Sequence, residues 1–532
     1  MATSKNKKPL QSNKLEKPAV SQWLAYCILA LVFVISFFYI FDTKLNLGGD
    51  NFDYLMLSRS FLGGHGYSSY APGWPAASHF PPGYPFFLAI FSFIFRENII
   101  LFKVLNGLLL FGSAIFLYKI VCKLVKDSIL GIFISTFVLI SAGILSFATI
   151  IMSELPYMFF SILSIYCLLI TPEKGFLKKA SFYVCIISAI VAYYMRNIGI
   201  VLFGAVIIHC LFTKKWKLTV ASAVGFIVGY VPWMIRNNIA GIHGSRYMKT
   251  MLVQNNWRPE EGTINTFSAF IEKTWVNFYD TTLSGFINVC FPFIKLGESK
   301  GIVVFFGIIV LLIILYGAFR IKPFRWFLLS YTLANIAVFI FWHTGNGTRY
   351  VWPFAPFIIF LFFYGVYDLL QTIFTKRAKF VRISMYIVMF FLLVPTSKTL
   401  VPLQKQAKQK SYPPSFNNYV SVAKHIKAMS EQEKGTPLVC CRKGSILSYY
   451  SGAFTCNYTF TSNDTILIRN LIKAAPNYVV IDQLGYSSTG LYLVPAVQKN
   501  PEIFLFVINT PEPTTYLLRF NREAAIKKYG EL

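Results

Sequence analysis

Residues 48–85 read GGDNFDYLMLSRSFLGGHGYSSYAPGWPAASHFPPGYP and follow directly on an apolar run at 22–41. Two carboxylates three residues apart, Asp50 and Asp53, open the stretch. An amphipathic piece then runs to Phe61, and the rest is a loop of Gly, Pro, Ser and aromatics. A loop of that length without secondary structure of its own is usually functional or disordered. Tyr67, Tyr70, Trp74, Phe80 and Tyr84 argue for order, because disordered segments are poor in aromatics. The expectation is an ordered cap holding an acidic site at a water boundary.

Composition says which boundary. Of 532 residues, 55% are hydrophobic and 14% charged, against roughly a quarter charged in soluble proteins. Several apolar runs reach about 18–20 residues, enough to cross ~30 Å of hydrocarbon as helix. The fold class expected is an α-helical polytopic membrane protein. Residues 1–21 form a polar, basic tail, and no small-residue cleavage signal follows 22–41, which therefore reads as a retained span. The net charge of +28 invites a nucleic-acid reading. Most basic clusters, however, sit in short connections between apolar runs, as orientation signals do. The implied partners are membrane lipids and phosphate rather than nucleic acid.

Candidate spans are 22–41, 99–121, 128–148, 152–170, 180–195, 198–212, 216–234, 301–319, 325–342, 350–370 and 380–396, about eleven in all. With the N-terminus in the cytoplasm, the connections at Lys119 to Lys126, Glu173 to Lys179, Lys214 to Lys217, Arg320 to Arg325 and Lys376 to Lys379 all fall inside. Each is basic, as the positive-inside rule requires. This works only if 84–95 does not cross, and it reads as a re-entrant or interfacial helix. The far side then collects large loops at 42–98 and 236–300, turns at Ser153-Glu154-Leu155-Pro156 and Arg196-Asn197, and the tail.

In that tail, 397–414 reads as a basic, Pro-ended linker and 415–532 as a small extracytoplasmic α/β domain. Helical periodicity marks 415–431 and 464–475; strands are expected at 436–441, 454–460, 478–482 and twice within 503–520. No phosphate-cradling glycine loop is evident, so docking or scaffolding is its expected role. Six of the nine cysteines lie in or beside apolar runs, where thiols behave as small hydrophobes. One disulfide among Cys440, Cys441 and Cys456 is compatible with an extracytoplasmic tail. No metal-ligand spacing is present.

Each candidate site residue carries a plain structural alternative. Asp50 suits a general base accepting a proton from a hydroxyl, or an N-cap for the helix through Phe61 with Asp53 a solvated first-turn charge. Glu154 is either an ionisable group used at a helix mouth or a first-turn residue behind an Ser153 N-cap and ahead of Pro156. Arg196, Arg236 and Arg349 match phosphate oxygens bidentately, or snorkel to headgroups beside Trp and Tyr. His65 and His79 are bases, phosphate contacts or ordinary loop residues. The 236–300 loop, with Trp257, Trp275, Phe278 and Tyr279, is a lipid-hugging segment or part of a cleft. The tripeptides starting at Asn346, Asn457 and Asn463 have glycosylation-acceptor form, a pattern common by chance.

These residues together resemble the GT-C superfamily of polyprenyl-phosphate-sugar-dependent glycosyltransferases, in particular the protein O-mannosyltransferases, the lipid A aminoarabinose transferases and the RgtA/B/C/D-like bacterial group. Such proteins place Asp-Glu-x-x-Tyr/Phe after the first span, and Asp50-Asn51-Phe52-Asp53-Tyr54 matches at Asp50 and Tyr54. LMLSRSFLGGHGYSS and HFPPGYPFFLAIF resemble further elements of the bacterial group, as do the Ser-Glu-Leu-Pro turn, the Arg196-Asn197 turn and the Arg349-Tyr350 pair. The resemblance covers most of residues 20–400. Two departures stand out. Asn51 replaces the second acidic residue, leaving Asp53 or Glu154 to supply it. Phe80, preceded by His79, occupies the place of a phosphate-contacting Lys.

The resemblance implies a catalytic domain over 22–396 in a bacterial plasma membrane. Asp50, with Asp53 and Glu154, would be catalytic, and Tyr54, His79, Tyr84, Arg196, Arg236, Arg349 and Tyr350 would bind substrate. A polyprenyl-phosphate sugar donor and an extracytoplasmic glycan, lipid or protein acceptor are the implied partners. Members of the superfamily differ in metal use, so a divalent metal ion stays open as cofactor. The alternatives are a lipid or saccharide transporter, or flippase, and a non-catalytic envelope scaffold. Transport sites need ionisable groups or broken helices near the midplane, and the spans 22–41, 128–148 and 301–319 carry no charge.

Overall fold

A computed structural model of the chain describes residues 20–242, 251–254, 262–294, 299–342 and 347–530. Most of the basic N-terminal tail, Trp257 and Asn346 lie outside the described residues. Six described helices are long and apolar enough to cross a membrane: Gln22–Ile40, Ile99–Val125, Trp216–Ile239, Lys300–Arg320, Ala355–Ile373 and Thr375–Lys408. Ser128–Ile140 and Ala142–Thr149 form a seventh if their 56° bend counts as one broken span. The chain is an integral membrane protein.

The count of eleven is not confirmed. Glu154–Ile170, Ala180–Met195, Asn197–Phe212 and Arg325–Phe341 are apolar but no longer than 17 residues, about 26 Å of helix at 1.5 Å per residue and short of a full hydrocarbon crossing. Gly83–Phe95, expected not to cross, is likewise a short apolar helix. Hydropathy alone cannot separate a short span from a helix buried among its neighbours. Burial differs among these helices: Glu154–Ile170 buries most of its residues, whereas Trp216–Ile239 fully buries only Leu218, Thr219 and Ser222 and packs Phe226, Tyr230 and Trp233 part-buried against the core.

Local chemistry starts some of these helices. The side chains of Asn98 and Asp127 accept from the backbone N–H groups of Leu101 and Leu130 at 3.1 and 3.0 Å, the usual N-cap arrangement. Helices approach closely where glycine allows it. A Cβ on Gly365 would lie 2.5 Å from the carbonyl oxygen of Ile313, so Lys300–Arg320 and Ala355–Ile373 can pack backbone to backbone.

The C-terminal region is an α/β unit with a five-stranded sheet in the order β2-β1-β3-β5-β4. The strands are β1 Leu438–Cys440, β2 Phe454–Cys456, β3 Tyr478–Ile481, β4 Phe504–Asn509 and β5 Tyr516–Phe520. β1 pairs in parallel with β2 and β3, and β5 runs antiparallel to β3 and β4. Every expected strand is present, as are the helices Pro414–Glu433 and Asp464–Ala474. The helix Gly444–Ser451 between β1 and β2 was not foreseen. The stretch 397–414 is largely helical, through Lys398 and again over Val401–Lys408, consistent with its Gln, Lys and Ala content. All nine cysteines are free thiols; Cys440 and Cys456 stand in register on neighbouring strands.

This unit is seated on the helical bundle. Arg59 forms a fork with Glu97, its Nε 2.7 Å from Oε2 and its Nη2 3.0 Å from Oε1. Tyr449 donates to the same carboxylate at 2.8 Å. Phe52 packs against Tyr449, Tyr450 and Phe416, and Tyr70 donates to the carbonyl of Gly452 at 2.8 Å. The aromatic loop expected to be ordered is ordered, clamped between bundle and sheet.

Candidate active site

The site is built on a helix start that lacks its expected cap. Asp50 occupies the N-cap position of Asn51–Leu62, yet its side chain bonds to no backbone N–H of that helix. The carboxylate turns instead to Arg349, Oδ2 lying 2.7 Å from Nη2. Asn51 makes this possible. Its side-chain oxygen accepts from the N–H of Ile151 at 2.7 Å, and its amide donates to the carbonyl of Gly48. That strap joins the extended residues before Glu154 to the loop before Asp50. Gly49, at φ +70°, completes the close approach, since a Cβ there would meet the Met152 side chain at 3.0 Å.

Ser153 is the second expected cap that serves the site. It makes no side-chain cap for Glu154–Ile170. Its hydroxyl lies 3.0 Å from the Tyr54 hydroxyl and accepts from Arg196 Nη1 at 3.2 Å. Glu154 follows, almost completely buried, with Oε1 2.8 Å from Arg196 Nη1 and 3.2 Å from Arg349 Nε. The result is a chain of alternating charge, Asp50–Arg349–Glu154–Arg196. Burial opposes both guanidinium charges, but Glu154 beside each of them, joined by Asp50 at Arg349, holds both pKa values above the ordinary arginine range. Glu154 Oε2 has no hydrogen-bond partner among the described residues. A buried carboxylate oxygen in that state is an acceptor in waiting.

Aromatic rings form the floor. Tyr54 contacts Phe80 and meets Tyr84 edge-on at centroid distances of 4.8 and 4.9 Å. The fully buried Tyr84 accepts from Asn106 at 3.4 Å. The Arg196 guanidinium stands 6.0 Å from the Tyr350 ring. The segment carrying Arg349 and Tyr350 is anchored next door, where Trp352 fills the space a side chain at Gly143 would need.

Seven candidate residues therefore converge: Asp50, Tyr54, Tyr84, Glu154, Arg196, Arg349 and Tyr350. Three lie elsewhere. Asp53 faces the sheet unit, bonded to the Ser445 hydroxyl with Lys443 close by. Burial, then the charge of Asp50, push its carboxyl up to about 6 against the pull of those two neighbours. Arg236 donates to the carbonyls of Ala77 and Tyr67 at 2.8 and 2.6 Å and lies against the rings of Tyr67 and Trp233. It secures the aromatic loop and borders an apolar depression lined by Pro232, Ile235 and Ile239. His79 is exposed, edge-on to Phe80, and His65 stacks on Trp74 at 3.5 Å. Sequence reasoning named Asn51 as a motif departure and Ser153 as a cap but missed both, with Met152, as supports of the site. Asn463, in an acceptor-type tripeptide, caps its helix by accepting from Ile466.

As to a divalent metal, the position between the carboxylates of Asp50 and Glu154 is filled by the Arg349 guanidinium. Among the described residues no group of three or more His, Cys, Asp or Glu side chains could hold an ion.

No family model matches the chain, and no curated protein matches it by sequence. Solved structures do match. The archaeal oligosaccharyltransferase AglB from Archaeoglobus fulgidus, in complex with an inhibitory peptide and a dolichol-phosphate, superposes with a TM-score of 0.59 at 12% identity, over 94% of this chain and 74% of that one. ArnT from Cupriavidus metallidurans, bound to undecaprenyl phosphate, gives 0.56 at 13% identity, over 94% of this chain and 98% of that one.

Proposed function

For a chain with the fold of the GT-C glycosyltransferases, we propose that it is an inverting glycosyltransferase, moving a sugar from a polyprenyl-phosphate donor to an extracytoplasmic acceptor hydroxyl. The N-terminus lies in the cytoplasm; the charged site and the sheet unit lie on the far side, the orientation the basic connections favour. The single observation carrying this reading is the Asp50 carboxylate, freed from helix capping and aimed at the Arg349 guanidinium 2.7 Å away.

The chemistry follows from the pair. Asp50 takes the proton of the acceptor hydroxyl as its oxygen bonds to the anomeric carbon. The bond from that carbon to the phosphate oxygen breaks on the opposite face, and its electron pair leaves with the lipid phosphate. Charge develops on that phosphate, where Arg349 and Arg196 provide preorganised stabilisation. Glu154 holds both guanidinium groups in place. The prenyl chain lies along the outward apolar face beside Pro232, Ile235 and Ile239, near Arg236.

Mass spectrometry of envelope glycans and glycoproteins from cells with and without the gene tests the reading. Loss of one defined sugar, restored by the wild-type gene and not by Asp50→Asn, is the expected outcome. Restoration by Asp50→Asn overturns it.

A further inference from the structure

Three loops of the sheet unit meet at one place, and the transfer chemistry above uses none of them. They are the segments leaving the carboxyl ends of the three parallel strands. After β1 come Arg442 and Lys443, after β2 Tyr458 and Phe460, and after β3 the run from Asp482 to Thr489. The chain goes from β1 to β2 on one side and then to β3 on the other. The carboxyl ends of β1 and β3 thus flank a topological switch point, the place where open α/β sheets bind ligands.

The side chains there form a built arrangement. Arg442 Nε donates to Ser488 Oγ at 2.9 Å, and its guanidinium carbon lies 5.0 Å from the Phe460 ring and 4.8 Å from the Tyr486 ring. The Lys443 ammonium lies 5.4 Å from Tyr486. Beneath them the Tyr458 hydroxyl bonds to Ser488 and Thr489, and Thr489 donates to the buried Asp482 at 3.4 Å. Arg442, Phe460 and Tyr486 are half-buried, so the upper edge of the cluster opens to solvent. Two cations stand against one buried carboxylate, whose own pKa burial raises.

We propose that this crevice binds a sugar unit carrying a carboxylate or a phosphate, as the acceptor-holding site of the enzyme. Aromatic rings offer flat apolar faces to a pyranose, and the Arg442–Lys443 pair takes the anionic substituent. The same loop reaches the helix that starts at the base. Lys443 and Ser445 are the groups that face Asp53, one turn from Asp50. An acceptor held here lies on the loop that packs against the first turn of that helix. As an acceptor site, this proposal rests on the glycosyl-transfer reading; as an anionic-sugar site, it does not.

The test titrates the full-length protein in detergent micelles with glucuronic acid, glucose 6-phosphate and glucose, following heat of binding. Both anionic sugars are expected to bind at least tenfold more tightly than glucose. Arg442→Gln and Tyr486→Ala, each with an unchanged melting temperature, are expected to remove that preference. The relative affinities of the two anionic sugars identify which substituent the crevice takes. Equal binding of all three sugars, or an undiminished preference in both folded variants, overturns the proposal. Asp50→Asn is expected to keep the titration while losing transfer. A wild-type transfer rate in that variant overturns the transfer reading and leaves the crevice; absent sugar binding in the wild type does the reverse.

Discussion

Asp50 and Arg349 are 299 positions apart in sequence and 2.7 Å apart at the mouth of the bundle. The pair exists because neither side chain does what its local sequence favours. Asp50 forgoes the cap, and Arg349 turns inward to two carboxylates.

Asp50→Asn removes the base while retaining an oxygen that can accept from Arg349. Transfer from a polyprenyl-phosphate sugar should fall on the order of 10²-fold or more, with the melting temperature little changed. Single-turnover assays on the purified protein measure the loss.

Arg349→Lys keeps the charge and loses the fork that reaches Asp50 and Glu154 together. A point charge cannot bridge both. The rate should drop roughly 10²- to 10³-fold, the range for removing one preorganised donor. Measuring kcat separately from donor KM will show the loss mainly in kcat.

Glu154→Gln strips the countercharge from the buried Arg196. Breaking a buried pair by removing one partner costs about 3–5 kcal/mol. Denaturant unfolding in micelles should show this loss; an unchanged midpoint would mean that Arg196 finds another partner.

Asn51→Asp places a carboxylate where related motifs carry one. Aspartate cannot donate to the Gly48 carbonyl, and it brings an unpaired charge into a buried position. Destabilisation of at least about 1–3 kcal/mol is expected, with activity falling rather than rising. Thermal denaturation together with the transfer assay checks both.

Asp53 has an ordinary carboxyl pKa of 3.8 raised to about 6 in the folded protein. Between those values the folded state holds a proton that the unfolded state has released. Its contribution to stability is therefore greatest below about pH 4 and is lost as pH rises through about 6. Melting temperatures across pH 4.5–7.5 should carry a falling component that Asp53→Asn abolishes, the variant gaining on wild type at the upper end.

The strands of the C-terminal unit were readable because alternation and turn residues act over a few positions, and all five appear where the pattern places them. The membrane class was readable for the same reason: apolar run length is a local property. The number of spans was not, because a 16-residue helix such as Ala180–Met195 has the same hydropathy whether lipid or protein surrounds it. Nor could sequence sort its arginines. Arg196, Arg236 and Arg349 all stand near helix ends beside aromatics. Two enter the acidic site and one ties down a loop, and only the packing of distant helices decides which. The two expected caps make the same point: Asp50 and Ser153 suit a helix start by local propensity, worth about 1 kcal/mol. A charge partner or a buried hydroxyl contact supplied from elsewhere in the fold outweighs it. Local chemistry thus determined the elements and the kinds of group available; tertiary contact determined which of them meet.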